Sequence, residues 1–400
     1  MSPPASPSEL ARLARAAGRL AIDTEFMSER RYQAMLCLAQ VAVREAAGGA
    51  IRTEVLDPLE DELRPEPLAA VLADAAVEVV VHAGRQDVAI VRRTWETPVR
   101  NLFDTQVAAG FLGYGTQESY KSLVSRVLGI SIRAGEGFTR WDRRPLTPQQ
   151  VRYAREDAEH LLELGERLEH ELEAAGRLEW AREECRALEM SSDERDPDAL
   201  FARLPGVLKL RAPARGVARE LVEWREELAR RLDRNAGSIL PDHVLIELAR
   251  RRPGSRRELE DTRGVPGATS GRHHAELLQA LARGAERAAP ELDRPPPRPD
   301  PADAPLVALA GAVVRQRSLE TGIAAQLVAT QADIARLVTD ARRGTDPAGL
   351  ALLEGWRREV VGAELLELLA GRRALRVGPR GRLQVEAVEA VVTADGPPAP

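Results

Sequence analysis

Two carboxylates stand two residues apart in the stretch LAIDTEFMSERR, which covers residues 20–31. Its apolar start predicts a buried strand, on which Asp23 and Glu25 point to the same face because side chains alternate with period 2. Like charges held side by side repel each other. A pair of oxygen ligands in such a place is typical of a site for Mg²⁺ or Mn²⁺. Taken alone, the pair is equally compatible with the solvated face of an edge strand.

Further acids occur at two other places in the first half of the chain. Asp87 lies in VVVHAGRQDVAIV, where an apolar run ends and a helical pattern begins. Alone it reads as an acid in the first turn of a helix, where the helix dipole favours it. Tyr153 and Asp157 are four residues apart in VRYAREDAEHL and therefore share one helical face. Alone this pair is typical of a charged surface helix, so only the combination of all three features is specific.

The elements that would position these residues follow from hydrophobic patterning. The runs LAIDTEF, MLCLAQVAV and IRTEVLDPL lie close together in the chain and predict strands joined by hairpins. The run VEVVVHAG follows the helical stretch PEPLAAVLADA, as a crossover connection requires. Thr147 and Pro148 match the N-cap and first position of a helix that carries the Tyr153 motif. We predict an α/β fold with a mixed β-sheet, and mainly helices from Ser119 onward.

The length of 400 residues indicates more than one domain. A polar break, SSDERDPD, and the Pro-rich segment ELDRPPPRPDPADAP separate three regions. The predicted division is an α/β domain at 1–195, a helical domain at 200–290, a Pro-rich linker at 291–305, a second helical domain at 306–385 and a tail at 386–400.

Composition and charge limit the class of protein. Residues 1–200 hold 25 basic and 35 acidic residues, whereas residues 201–290 hold 18 basic and 12 acidic ones. Such an asymmetry singles out the middle of the chain as a possible contact surface for an anionic partner. Cys37 and Cys185 are the only cysteines and read as two reduced thiols. No apolar run reaches membrane-spanning length. We expect a cytoplasmic monomer without membrane contact.

Four segments of the sequence, taken together, resemble a known family. They are IDTEFMSERRYQAMLCLAQ, HAGRQDVAIV, FDTQVAAGFLGYG and RWDRRPLTPQQVRYAREDAEHL. In this order and spacing they are similar to the DEDD exonucleases whose third motif carries Tyr, and within that superfamily to ribonuclease D, over residues 18–190. The resemblance implies an RNase H-like fold, a site with two divalent metal ions (Mg²⁺ or Mn²⁺), and release of nucleoside 5′-monophosphates from a 3′ end.

The resemblance also implies a role for each acid. Asp23 would bridge both ions, Glu25 and Asp157 would complete the first site, and Asp87 would support the second. Tyr153 would hold the attacking water. Two ions of this kind stabilise both the attacking and the leaving oxygen of a displacement at phosphorus.

Substrate contacts are predicted beside the acids. Phe26 and Met27 directly follow the acidic strand, where family members place a wedge against the last base. Arg140, Arg143 and Arg144 precede the catalytic helix and could contact phosphates. Core packing of the apolar pair and ordinary surface arginines are the simpler interpretations. Arg140 also stands where family members often carry an acid.

The helical remainder resembles the HRDC module found in ribonuclease D and in certain helicases. The match lies in ELVEWREELARRLDRNAGSILPDHVLIELARRRPGS, with Trp224 expected in the core and the basic run 250–257 as a candidate backbone contact. Residues 306–375 resemble, more briefly, the last helical domain of bacterial ribonuclease D, or a second HRDC-like bundle.

The expected function is a metal-dependent 3′→5′ exoribonuclease that acts on single-stranded 3′ ends of tRNA precursors and other structured RNAs. A DNA 3′→5′ exonuclease of repair or proofreading would use the same site, because phosphodiester hydrolysis needs no 2′-hydroxyl. A non-catalytic RNA-binding scaffold is the alternative from a different class.

Overall fold

The chain is described by a computed structural model over residues 5–46, 49–60, 63–132, 140–292 and 300–388. Most of the predicted linker and tail, at 293–299 and 389–400, lies outside the described residues. The chain divides into two compact units, each built from several segments. The first comprises Met1–Leu102, Ala134–Leu162 and Arg186–Arg294, and the second Phe103–Arg133, Glu163–Cys185 and Pro295–Pro400. The segments of the two units alternate along the chain. The domain limits drawn from the sequence stay predictions.

Five strands form one sheet in the order β3-β2-β1-β4-β5. Their bounds are β1 Arg19–Met27, β2 Met35–Arg44, β3 Ile51–Leu56, β4 Glu78–Val81 and β5 Leu102–Asp104. Strand β2 is antiparallel to both β1 and β3, whereas β4 is parallel to β1. The predicted hairpins and the predicted crossover are therefore confirmed, and the sheet is mixed. The buried residues of β2 and β4 form much of the core around it.

The described residues up to Glu189 also form eight helices. They are α1 Pro7–Ala17, α2 Glu66–Leu72, α3 Arg85–Thr94, α4 Thr105–Phe111, α5 Tyr120–Leu128, α6 Pro148–Glu159, α7 Leu161–Ala174 and α8 Leu178–Glu189. Helix α6 packs on β1, β2 and β3. It begins with a capping box, in which the Thr147 hydroxyl accepts from the Gln150 amide and the Gln150 side chain accepts from the Thr147 amide. The predicted N-cap at Thr147 is confirmed.

Seven helices follow in the first unit after a break at residues 190–196. They are α9 Pro197–Ala202, α10 Ala212–Arg231, α11 Ala236–Ile239, α12 Asp242–Arg251, α13 Arg256–Glu260, α14 Gly267–Arg272 and α15 His274–Glu286. Their shared core includes Trp224, which is only 5% exposed, so the prediction that it is a core residue is confirmed. Nowhere in the described ranges is a helix both long enough and apolar enough to span a bilayer.

The C-terminal part of the second unit is helical at first and ends in a hairpin. Its elements are α16 Ala304–Thr321, α17 Ala325–Val328, α18 Gln331–Arg343, α19 Gly355–Arg357, a π-helical turn Arg358–Gly362, α20 Ala363–Leu369, β6 Arg373–Val377 and β7 Leu383–Ala387. The predicted helical domain at 306–385 therefore ends in a two-stranded hairpin that the sequence interpretation did not include, and the limits of the domain stay a prediction. The segment LQVEA alternates in polarity and pairs antiparallel with RALRV around a turn in which Gly381 has φ 72°.

Candidate active site

The acidic strand β1 lies inside the sheet, with β2 on one side and β4 on the other. In the register with β2, Asp23 lies opposite Gln40 and Glu25 opposite Leu38. Both carboxylates are only partly exposed. The interior position excludes the simpler interpretation of a solvated edge strand, and the two carboxylates share a face that is largely covered by protein.

A β-bulge follows directly after Glu25. Glu25 pairs with Leu38 whereas Phe26 pairs with Leu36, which leaves Cys37 as an extra residue on β2. Bulges bend a strand, redirect its side chains and are frequent beside active sites. Beyond the bulge, partly exposed Met27 packs against a small buried cluster that consists of Cys37, Leu38, Trp141 and Ala154.

Asp87 lies in the first turn of α3, close to the acidic strand. Its carboxylate accepts a hydrogen bond from the hydroxyl of Thr24, the residue between the two acids of β1. The turn that brings α3 there requires Gly84, because a Cβ atom at this residue would lie 2.5 Å from Cγ2 of Val81. The first-turn location expected from the sequence is correct, and Asp87 has in addition a direct contact with β1.

Tyr153 and Asp157 lie on α6 and face the sheet together. The Tyr153 hydroxyl donates a hydrogen bond to Asp157. Trp141 stacks on the Tyr153 ring, with ring centroids 6.0 Å apart. Helix α6 is thereby held with its motif face toward the carboxylates of β1, and it is more than a charged surface helix.

The electrostatics show that the four acids lie within range of one another. Burial raises the pKa of Asp23 well above its ordinary value, and the charges of Asp87, Glu25 and Asp157 raise it further. Burial raises the pKa of Glu25 to about 8, with added repulsion from Asp157 and Asp87. Partly buried carboxylates that repel each other favour the binding of a cation, because the cation relieves the repulsion.

The donor set suits a hard divalent cation, because carboxylate oxygens are the ligands that Mg²⁺ and Mn²⁺ prefer. Within the described residues, no three His, Cys, Asp or Glu side chains stand in an arrangement that could hold an ion as they are. Two of the acids have other partners: Asp87 is bonded to Thr24 and Asp157 to Tyr153. Ion binding at this site therefore requires rotation of side chains.

Comparison with known proteins agrees with this geometry. A family model described as "3'-5' exonuclease" matches residues 2–173, and the HRDC domain model matches residues 214–281. Ribonuclease D of Granulibacter bethesdensis is 37% identical over 366 residues, which cover 89% of this chain and 88% of that protein. The chain belongs to the ribonuclease D family. The expectation of a 3′→5′ exoribonuclease is confirmed at the level of this family.

Other members and one solved structure support the assignment to ribonuclease D. Ribonuclease D of Acidiphilium cryptum is 35% identical over an alignment that covers 92% of this chain and 91% of that protein. The crystal structure of Escherichia coli RNase D, described as an exoribonuclease involved in structured RNA processing, aligns with a TM-score of 0.77 at 28% identity. That alignment covers 91% of this chain and 96% of that chain. The predicted RNase H-like exonuclease fold followed by HRDC-type helices is confirmed.

The three arginines before the catalytic helix differ in their surroundings. Arg140 is exposed and forms a two-bonded pair with Asp142 at 2.9 and 2.8 Å. Arg143 is exposed. Arg144 is half-buried and donates to Asp57 at 2.5 Å and to the Cys37 carbonyl at 3.1 Å. Arg144 therefore holds other parts of the fold in place, while Arg140 and Arg143 are both exposed.

The sequence interpretation missed two features of this ribonuclease D site. By strand alternation, Thr24 points to the face opposite that of Asp23 and Glu25. Nothing in the local sequence pattern therefore indicated its contact with Asp87. The loop between β1 and β2 is tied to the HRDC helices: Arg31 pairs with Asp233 at 2.6 Å and the Tyr32 ring packs on their core. Contacts between residues 200 positions apart have no signal in a single sequence.

Proposed function

We propose that this member of the ribonuclease D family trims the 3′ ends of tRNA precursors and other small structured RNAs, releasing nucleoside 5′-monophosphates. The observation that carries the proposal is the meeting of four mutually repelling carboxylates with Tyr153 beside strand β1. The acids come from β1, α3 and α6, three elements far apart in the chain. Such an arrangement suits hydrolysis of a phosphodiester bond with the help of divalent ions.

Two divalent ions, Mg²⁺ or Mn²⁺, are part of this proposal. Asp23, Glu25 and Asp157 would hold one ion, and Asp87 would support the other, with Asp23 shared between them. When bound, the ions lower the pKa of a water and stabilise the charge on the attacking and leaving oxygens. The protein's own part is to hold the four like charges close together, where bound cations can neutralise them.

Tyr153 would orient the attacking water through its hydroxyl. Burial, and after it the neighbouring charge of Asp157, raises the pKa of Tyr153. The hydroxyl therefore keeps its proton at neutral pH. It serves as a hydrogen-bonding group that orients the water, and it does not act as a general base.

A basic groove in the first unit supports contact with an RNA backbone. It encloses about 460 Å³ and is lined by Lys209, Leu210, Arg211, Pro213, Ala214, Arg250 and Arg252. Four of these residues are cationic and exposed, and none of the described residues that line the groove is acidic. Among the described residues, Arg250 is the one groove cation with an ion pair, a loose one with Glu247 at 3.8 Å. Phosphates bind to such a surface with strong salt dependence.

The carboxylate assignment is tested by Asp157→Asn and Asp23→Ala. We expect each change to lower the release of monophosphate from a 3′-labelled RNA by about 10³-fold or more, or about 4 kcal/mol of transition-state stabilisation. Circular dichroism and the melting temperature in chelator serve as controls that the fold is intact. Near wild-type rates in either variant would exclude the proposed ion site.

The choice between RNA and DNA needs its own experiment. Matched RNA and DNA oligonucleotides with a single-stranded 3′ end are degraded in parallel in Mg²⁺ and in Mn²⁺. A ribonuclease D is expected to prefer RNA in kcat/KM. A preference for DNA would favour the repair or proofreading exonuclease instead.

We further infer that the enzyme works as a cytoplasmic monomer. Cys37 and Cys185 are both buried free thiols, as a reducing compartment allows. Light scattering on the eluting protein measures the oligomeric state directly, and a mass near 43.7 kDa is expected.

A further inference from the structure

Gln40 carries a buried side-chain amide that has no hydrogen-bond partner within the described residues. Its side chain is fully buried in β2, and neither its nitrogen nor its oxygen has a partner among the described residues. Burying an unpaired amide in this way destabilises the fold, and an apolar residue of the same shape would avoid that cost. An unpaired polar group in a core needs an explanation, and packing alone does not explain why this residue is an amide.

The place of Gln40 in the sheet suggests that explanation. It lies directly opposite Asp23 in the antiparallel register, so both side chains project from the same face. Leu38, two residues earlier in β2, shares this face and belongs to a buried cluster with Ala154 of α6, against which Tyr153 packs. Gln40 therefore lies beneath the catalytic helix and beside the carboxylate that is proposed to bridge both ions.

We propose that Gln40 is a positioning residue for Asp23, and that its amide N–H donates to the Asp23 carboxylate when divalent ions are bound. This inference rests on the proposed ion site. The hydrogen bond forms after side-chain rotation, the same kind of rotation that brings the acids together around an ion. Ligating carboxylates are normally held by such hydrogen bonds, which orient them toward the metal.

An amide suits this position better than the other side chains of similar size. A lysine or arginine would neutralise the acids and compete with the ions, whereas a glutamate would add a fifth repelling charge. A methionine or leucine would fill the space without any donor. Glutamine supplies one N–H for the carboxylate and one carbonyl oxygen that can accept from a bound water.

The decisive variant is Gln40→Met, which keeps the length of the side chain and removes its hydrogen bonds. In chelator, we expect an unchanged or higher melting temperature, because an unsatisfied amide has been removed. In Mn²⁺ titrations, we expect half-maximal activity at an ion concentration about 10–100-fold higher. The rise in melting temperature that Mn²⁺ causes should shrink accordingly, which gives a readout that does not depend on turnover.

Thr53→Val is the matched control. Thr53 lies on the neighbouring strand β3, is only 5% exposed, and its hydroxyl also lacks a partner among the described residues. It lies opposite Ala42, on the same face as Gln40 and one residue pair further from the acids. Its replacement should raise the melting temperature in chelator and leave the Mn²⁺ dependence as in the wild type.

The possible results separate this inference from the proposed function. A wild-type protein without Mn²⁺-dependent melting or activity would refute the ion site itself. If the wild type shows both, and Gln40→Met has the same Mn²⁺ dependence, only the role of Gln40 is refuted. A Gln40→Met variant that is strongly destabilised in chelator would also refute it, because the amide would then be bonded within the fold.

Discussion

At the scale of single residues, the acids of β1 destabilise the folded protein most when no ion is bound. Asp23 and Glu25 are partly buried, and each is repelled by Asp87 and Asp157. The raised pKa values mean that the folded protein holds protons that the unfolded chain releases at neutral pH. Ionisation of these groups therefore opposes folding, and ion binding offsets that cost.

The pH dependence of stability tests this directly. The pKa of Glu25 is about 8 in the folded protein against an ordinary value of 4.5. The contribution of its proton to stability is complete below about pH 4.5 and is lost as the pH rises through 8. In chelator, we expect the wild type to lose about 1–2 kcal/mol between pH 6 and pH 9, with allowance for solvent screening.

Glu25→Gln serves as the control for this pH effect, because it keeps the shape of the side chain and cannot ionise. Its melting temperature in chelator should fall less over the same pH range. Saturating Mn²⁺ should flatten the wild-type curve as well. Identical curves for the wild type and Glu25→Gln would contradict the assignment of the raised pKa to Glu25.

At the scale of elements, the loop between β1 and β2 connects the acidic strand to the HRDC helices. Asp233, just after α10, accepts from the Arg31 guanidinium at 2.6 Å and from the Tyr32 amide at 3.2 Å. The Asn235 amide donates to the Arg30 carbonyl at 3.3 Å. Since this loop begins directly after Met27, its anchoring limits the motion of the strand end that is predicted to meet the last base.

Removal of the anchor by Asp233→Ala should affect turnover more than stability. Arg31 and Asp233 are both substantially exposed, so we expect a loss of at most about 1 kcal/mol in the free energy of unfolding. We expect kcat/KM on single-stranded RNA to fall several-fold, with the Mn²⁺ requirement unchanged. Asp198→Ala, which removes an exposed partner of Arg219 elsewhere in the helices, is the matched control. Equal kcat/KM in the two variants would contradict a role of the anchor in catalysis.

At the scale of the whole molecule, charge is distributed unevenly along the chain. The acidic excess lies in the first 200 residues and the basic excess in residues 201–290, although the total is only −5. The groove lined by Lys209, Arg211, Arg250 and Arg252 belongs to the basic part. An overall negative protein can therefore present a local surface for a polyanion, and the charges repel one another less once phosphates are bound.

Substitution in this groove should change the salt dependence of RNA binding. In an Asp157→Asn background, which we expect to bind RNA without degrading it, the added pair Lys209→Ala and Arg211→Ala should weaken binding about 10-fold at low salt. The slope of log K against log salt should fall by about 0.7 for each lost phosphate contact. Arg256→Ala, which removes an exposed arginine already paired with Glu260 at 2.9 Å, is the control. A slope equal to that of the control would exclude the groove from the RNA path.

The sequence by itself determined the features that depend on local periodicity. Period 2 placed Asp23 and Glu25 on one face of a strand, and helical spacing placed Tyr153 and Asp157 on one face of a helix. The cap at Thr147 could be predicted for the same reason, because a side chain bonds to a backbone amide only three residues away. These relations need no knowledge of the rest of the chain.

Only the tertiary structure decided which residues meet across the chain. The register of β1 and β2 puts Gln40 beside Asp23, and the bulge after Glu25 interrupts the alternation on which a sequence interpretation depends. Arg144, a predicted phosphate contact, also donates to Asp57, 87 positions away. Register and long-range pairing are set by the packing of the whole core and by loop geometry, which no local pattern encodes.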